Sequence, residues 1–140
     1  MESNKQESVI GIDLGTTNSC VSILRNEQAE IIPDNETGES IIPSMICFKD
    51  NQCLVGIPAK NNFKDYPKST MYNSKRLIGH QFSNYHVQND IKNWPIEVIE
   101  DKKTGKPQYL IKIGNEEKKY YPEKVSSMIL EYIKNMQKLI

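Results

Sequence analysis

The chain has 140 residues, 37% of them hydrophobic and 26% charged, and its 18 basic side chains are balanced by 18 acidic ones. That is enough sequence for one domain with its own core, and too apolar for a disordered chain. The balance leaves no basic footprint for nucleic acid, and no apolar run approaches the roughly 18 residues that cross a bilayer.

The opening MESNKQES (1–8) is polar, lacks the apolar core of a secretory signal and reads as a flexible terminus, so the expected location is cytoplasmic. Val9–Ile12 is short, β-branched and apolar, and Cys20–Leu24 is apolar again after a polar turn, so residues 9–24 are expected to form a hairpin. AEIIP (29–33) gives a third strand stopped by Pro33. SMICF (44–48) and CLVGI (53–57) bracket the turn KDNQ as a second hairpin. Cys47 and Cys53 flank that turn. A disulfide across the hairpin and reduced, buried thiols are the two readings, and the odd total of three cysteines favours the reduced one.

AKNNFKDYP (59–67) holds a short helix that must end before Pro67. NSKRLIG (73–79) starts on two capping-type residues and ends on glycine, which suits a single helical turn. WPIEVIE and QYLIKI are expected strands, separated by the turn KKTGKP and followed by GNEE. Pro122 fits a first helical position. Val125, Met128, Ile129, Tyr132, Ile133 and Met136 then recur at spacings of three and four, which marks an amphipathic helix. Its stripe runs on to Leu139 and Ile140 without a cap, which reads as a cut. Val125, Ile129, Ile133 and Met136 are therefore expected to be exposed and prone to associate.

One turn carries chemistry. GIDLGTTNSC (11–20) places Asp13, Gly15, Thr16, Thr17 and Ser19 directly after an apolar strand. A triphosphate needs several N–H donors aimed into one concavity, which a tight turn of small residues supplies. Gly15 leaves room for close approach, and the hydroxyls add donors. Asp13 would repel phosphate unless a divalent cation stood between them, and Mg²⁺ is held by one or two carboxylates together with water and phosphate oxygens. The turn is not a P-loop, since no Gly-Lys-Ser/Thr follows it. By itself it is equally readable as a polar hairpin turn.

Longer stretches decide between those readings. VIGIDLGTTNSCVSIL (9–24) resembles the opening of the actin and sugar-kinase ATPase superfamily. IIPSMICF (41–48), GIPAKN (56–61), SKRLIGH (74–80), NWPIEV (93–98) and YYPEKVSSMILEYIK (120–134) narrow the resemblance to the seventy-kilodalton heat-shock chaperone family. The resemblance covers nearly all of the chain after Glu7.

It implies an α/β, actin-like (ribonuclease H-like) ATPase fold, here an incomplete first lobe with its inserted subdomain. The main lobe would hold residues 9–39 and 119–140, and the insertion residues 40–118. It implies ATP or ADP with Mg²⁺ as cofactors. Asp13 would stand beside the metal, Gly15, Thr16, Thr17 and Asn18 would hold the phosphates, and Lys75 would act catalytically on the γ-phosphate and attacking water. A compact lysine charge suits charge developing on a transferred phosphoryl group. The implied partners are unfolded client proteins, J-domain co-chaperones and nucleotide-exchange factors.

Arg76 is either near the nucleotide side or in a structural ion pair. Trp94 is read as packing, and His80 and His86 carry no assigned role. Ser40, Tyr66 and Ser69 depart from the family's usual residues without touching the phosphate turn. Asp-x-Gly occurs once, at Asp13, so the family's second phosphate hairpin, catalytic glutamate and peptide-binding domain have no counterpart in this sequence. The leading expectation is a segment of an ATP-dependent chaperone. The alternatives are a non-enzymatic short form that binds a partner through residues 44–110, and an actin-like or sugar-kinase relative, which the later motifs disfavour.

Overall fold

The computed structural model describes residues 9–137. The terminus expected to be flexible (1–8) and the last residues of the apolar stripe (138–140) lie outside that range. Among the described residues, ten short strands, four α-helices and one 3-10 turn build a mixed α/β body whose three sheets are all antiparallel.

The first sheet grows from the expected hairpin. Strand β1 (Ile10–Leu14) pairs with β2 (Asn18–Arg25) from Ile10 opposite Ile23 to Leu14 opposite Ser19. Asn26 and Glu27, both at positive φ, then return the chain into β3 (Gln28–Ile31). Two residues of that conformation match the twist of flanking strands. Strand β4 (Ile42–Pro43) also pairs with β2, Asn18 opposite Pro43 and Ser19 opposite Ile42. Hydrogen bonding within the first sheet therefore runs past residue 40, where the insertion is expected to begin.

The second sheet contains β5 (Ile46–Lys49) between β6 (Gln52–Val55) and β7 (Thr70–Met71). Cys47 pairs with Leu54 and Cys53 with Phe48. Directly paired residues share a face and successive residues alternate, so the two thiols lie on opposite faces of the hairpin. All three cysteines are unbridged, but the expected burial of the hairpin pair holds for Cys47 alone, since Cys53 is exposed. Helix α1 (Ile57–Asn62) follows, ending before Pro67 as expected, and buries Ala59. Helix α2 (Ser74–Leu77) is the expected single turn. Its start differs from expectation: Asn73 has φ 56° and its side chain caps nothing. The Ser74 hydroxyl instead meets the Ser126 hydroxyl at 3.0 Å, across to the last helix.

Five elements escape the sequence reading. Strands β4 and β7 are two residues long, and Pro67–Ser69 is a single 3-10 turn. Helix α3 (Tyr85–Ile91) buries one residue, Val87, too few for a periodic signal; the Asn84 side chain starts it by accepting from the His86 and Val87 N–H groups at 2.9 and 3.3 Å. Beyond β8 (Glu97–Glu100) and β9 (Pro107–Ile113), β10 (Glu116–Tyr120) completes the third sheet. Its EEKKY sequence carries no apolar alternation, because the strand sits at an edge and is specified by the hairpin with β9.

Helix α4 (Pro122–Gln137) begins at Pro122 as predicted, but the expected exposure of its stripe is overturned. Val125, Ile129 and Ile133 are 0% exposed and Met136 is 5% exposed. They join Val21, Ile23 and Ile42 from the first sheet, Ile32 just after β3, and Tyr109 and Ile111 from β9 in one core. Helix α2 and strand β9 pack on α4. The Tyr132 hydroxyl donates to the Asp34 carboxylate at 2.7 Å, tying the helix to the loop after β3. The stripe is covered by elements that precede it in the chain. Exposed apolar surface lies elsewhere: Leu24 and Ile31, 50% and 59% exposed, share the sheet face opposite Val21 and Ile23.

Candidate functional site

Asp13 stands next to the end of β1 and Asn18 begins β2, so the hairpin delivers Asp13, Gly15, Thr16, Thr17 and Asn18 to one tip. The turn is closed tightly. A Cβ built on Gly15 would stand 2.1 Å from the Asn18 carbonyl oxygen, well inside van der Waals contact, so this backbone path admits only glycine. Asp13, Thr17 and Asn18 are exposed and Thr16 is half-buried. Among the described residues, neither threonine hydroxyl nor the Asp13 carboxylate takes a side-chain hydrogen bond or an ion pair. Buried polar groups ordinarily find partners, and these groups instead face solvent with their donors and acceptors uncommitted.

The back of the turn is fully engaged. The Ser44 N–H donates to the Thr17 carbonyl at 2.9 Å, and the Ser44 hydroxyl donates to the Gly15 carbonyl at 2.8 Å. A further 2.8 Å hydrogen bond joins the Ser44 and Ser19 hydroxyls, both residues being buried. Ser19, expected to offer its hydroxyl to a phosphate, instead turns it inward to Ser44, and Ser44 is the candidate that the sequence reading passed over, since its link to the turn lies across 29 residues. Asn18 also lines an open groove of about 560 Å³, together with Glu39, Pro43, Ile57 and Lys60.

Lys75 sits on the exposed side of α2, whose other side buries Ser74 and Leu77. It makes no hydrogen bond or ion pair among the described residues. The turn and α2 are connected through the framework: Ser44 bonds the turn, Ile46 pairs with Met71, and Met71 leads directly into the segment carrying Lys75. Arg76 settles into an ion pair with Asp90 at 3.8 Å, linking α2 to α3 at the surface. Trp94 packs, as expected, with its ring 5.6 Å from that of Tyr72. No group of three or more His, Cys, Asp or Glu side chains among the described residues is arranged to hold a metal ion. A lone carboxylate on an open tip suits only a cation that keeps most of its ligands as water and phosphate.

A protein-family model described as "Hsp70 protein" matches residues 9–139. The chain belongs to the Hsp70 family. It is 46% identical over 121 residues to Heat shock 70 kDa protein 2 of Paracoccidioides lutzii, covering 86% of this chain and 18% of that one. It is 44% identical over 125 residues to Heat shock cognate 70 kDa protein 3 of Dictyostelium discoideum, covering 89% and 20%. It is also 40% identical over 129 residues to Putative heat shock 70 kDa protein 7 of Homo sapiens, covering 92% and 34%. The chain thus spans only about a fifth of the length of the first two relatives. All three carry heat-shock names, and this Hsp70-family chain folds as a mixed α/β body of antiparallel sheets. Among the described residues, no helix is long and apolar enough to cross a membrane.

Proposed function

We propose that this chain supplies the first phosphate-binding hairpin of an ATP-dependent chaperone, within an incomplete first lobe of an actin-like ATPase fold. The observation that supports it is the tip at residues 13–18: a turn closed so tightly that only glycine fits, with hydroxyls and a carboxylate uncommitted on its open side. Thr16 and Thr17, with the backbone of Gly15 and Asn18, bind ATP or ADP phosphates. Asp13 would hold a Mg²⁺ ion through its water shell, and the ion would supply charge neutralisation. In a longer chaperone the Lys75 ammonium, exposed on α2 and uncommitted among the described residues, would offset charge at the γ-phosphate.

In a longer chaperone, nucleotide binding and hydrolysis at such a site drive capture and release of unfolded clients, with J-domain co-chaperones and exchange factors setting the rates, in the cytoplasm. Phosphoryl transfer needs compensating charge from several directions at once. One hairpin, one carboxylate and one lysine provide it from one side, so this chain binds Mg·ATP at millimolar rather than micromolar concentration, a difference of about 4 kcal/mol, and does not turn it over. The test is a ¹⁵N NMR titration with Mg·ATP, paired with phosphate release. Amide shifts confined to Gly15–Asn18 and the Lys75 region, reduced in an Asp13→Asn, Lys75→Ala double variant, support the reading. Shifts elsewhere in the fold, or none at 10 mM nucleotide (roughly tenfold above a millimolar Kd), sink it. Phosphate release that the double variant abolishes would show that the chain carries more of the site than proposed.

A further inference from the structure

Ser44 lies where the chain leaves the first sheet at Pro43 and enters the second at Ile46. It is 3% exposed. That residue makes two separate hydrogen bonds to the tip, through its backbone N–H to the Thr17 carbonyl and through its hydroxyl to the Gly15 carbonyl. No peptide bond among the described residues is cis. In a planar trans peptide the N–H points opposite to the preceding carbonyl. Turning the Gly15 carbonyl inward to Ser44 therefore turns the Thr16 N–H outward. Holding the Thr17 carbonyl on the Ser44 N–H does the same for the Asn18 N–H, directing it away from β4.

We infer that Ser44 is a positioning residue for the phosphate turn, one that orients the Thr16 and Asn18 amides toward an anion it never touches. The Ser19 hydroxyl shares a 2.8 Å bond with Ser44 but makes no hydrogen bond to the turn's carbonyls, so the Gly15 bond does not depend on it. The backbone bond from Ser44 survives any side-chain change, so the hydroxyl controls one peptide plane, Gly15–Thr16, rather than the whole turn. This inference deepens the reading of the tip as a phosphate seat and rests on it for the ligand, though not for the geometry.

The experiment compares the wild-type chain with Ser44→Ala, Ser44→Cys and Ser19→Ala, first without ligand and then with Mg·ATP. Without ligand, the Thr16 amide of the wild type should have a ¹⁵N order parameter near 0.85, falling toward 0.6 in Ser44→Ala. Ser19→Ala, which leaves the Gly15 bond in place, should stay close to wild type, and Ser44→Cys, which keeps a weak donor of similar size, should lie between. Thermal stability should fall by a similar few degrees in both alanine variants, so a purely structural role would move them together. With ligand, the apparent Kd for Mg·ATP should weaken five- to tenfold in Ser44→Ala and less than twofold in Ser19→Ala. Equal changes at Thr16 in the two alanine variants, or no change in either, overturn the inference. If Ser44→Ala does not fold, the wild-type Ser44 hydroxyl proton decides: slow exchange with a coupling to the Gly15 carbonyl supports it, and fast exchange overturns it. Failure of the wild type to respond to Mg·ATP would reject the phosphate seat while leaving the ligand-free comparison to judge Ser44.

Discussion

Gly15→Ala is the most exacting perturbation of the tip. The added Cβ would stand 2.1 Å from the Asn18 carbonyl oxygen, nearly an ångström short of the 3.0 Å that real Cβ contacts reach. The obstacle is backbone, so no side-chain rotation relieves it, and the turn must open. Opening separates the Leu14–Ser19 pair and strains the Asn18–Pro43 bridge beside it. Overpacking of this kind costs about 1 to 3 kcal/mol. For a domain of this size that lowers the melting temperature by about 4 °C per kcal/mol, hence by about 4 to 12 °C. Gly11→Ala is the matched comparison. Its Cβ would meet only the Ser22 hydroxyl oxygen at 3.0 Å, the end of a rotatable group, so its cost should stay below about 0.5 kcal/mol. Circular dichroism melts of both variants read the difference, and a Mg·ATP titration should show the response at Thr16 and Thr17 lost in Gly15→Ala alone. Equal melting temperatures for the two variants, or an unaltered nucleotide response in Gly15→Ala, would refute the claim that the turn's closure depends on glycine.

Ile129→Ala removes a fully buried side chain from the middle of α4 and should cost about 2 to 5 kcal/mol in chemical denaturation, whereas an exposed helix stripe would lose almost nothing. Tyr132→Phe leaves the buried Asp34 carboxylate one donor short and should cost about 1 to 2 kcal/mol near neutral pH. Burial, and then the Asp34 hydrogen bond, raise the Tyr132 pKa above its ordinary value of 10, so the folded state holds a proton that the unfolded chain releases. That stabilisation is complete below pH 10 and is lost above it, so melting temperature should fall between pH 10 and 11.5, less steeply in Tyr132→Phe. An identical slope in the two proteins counts against the assignment; Tyr109, Tyr72, Tyr120 and Tyr121, whose pKa values are also raised, contribute to the slope that remains. With a thiol reagent on the native chain, Cys53 should react and the fully buried Cys47 should not until the chain unfolds, which mass spectrometry of the labelled peptides resolves.

Much of the local structure was legible because it is written in short-range chemistry. The polar turn between two apolar runs specifies the first hairpin, and Pro122 with its three- and four-residue spacing specifies α4. The sequence likewise supplied the site's chemical inventory, since Asp13, Gly15, Thr16 and Thr17 are neighbours in the chain and need no fold to bring them together. The family resemblance, not any local pattern, singled out Lys75. What tertiary structure alone decided was which surfaces meet. The α4 stripe reads the same whether it is bare or covered, because periodicity reports one side of a contact and the covering residues, Val21, Ile42 and Tyr109, lie far away in the chain. Strand β10 and helix α3 have almost no apolar signal, and their form comes from a hairpin partner and a capping asparagine. Ser44 is the clearest case. Twenty-nine residues separate it from Gly15, and the hydrogen bond between them exists only because β4 folds back onto β2.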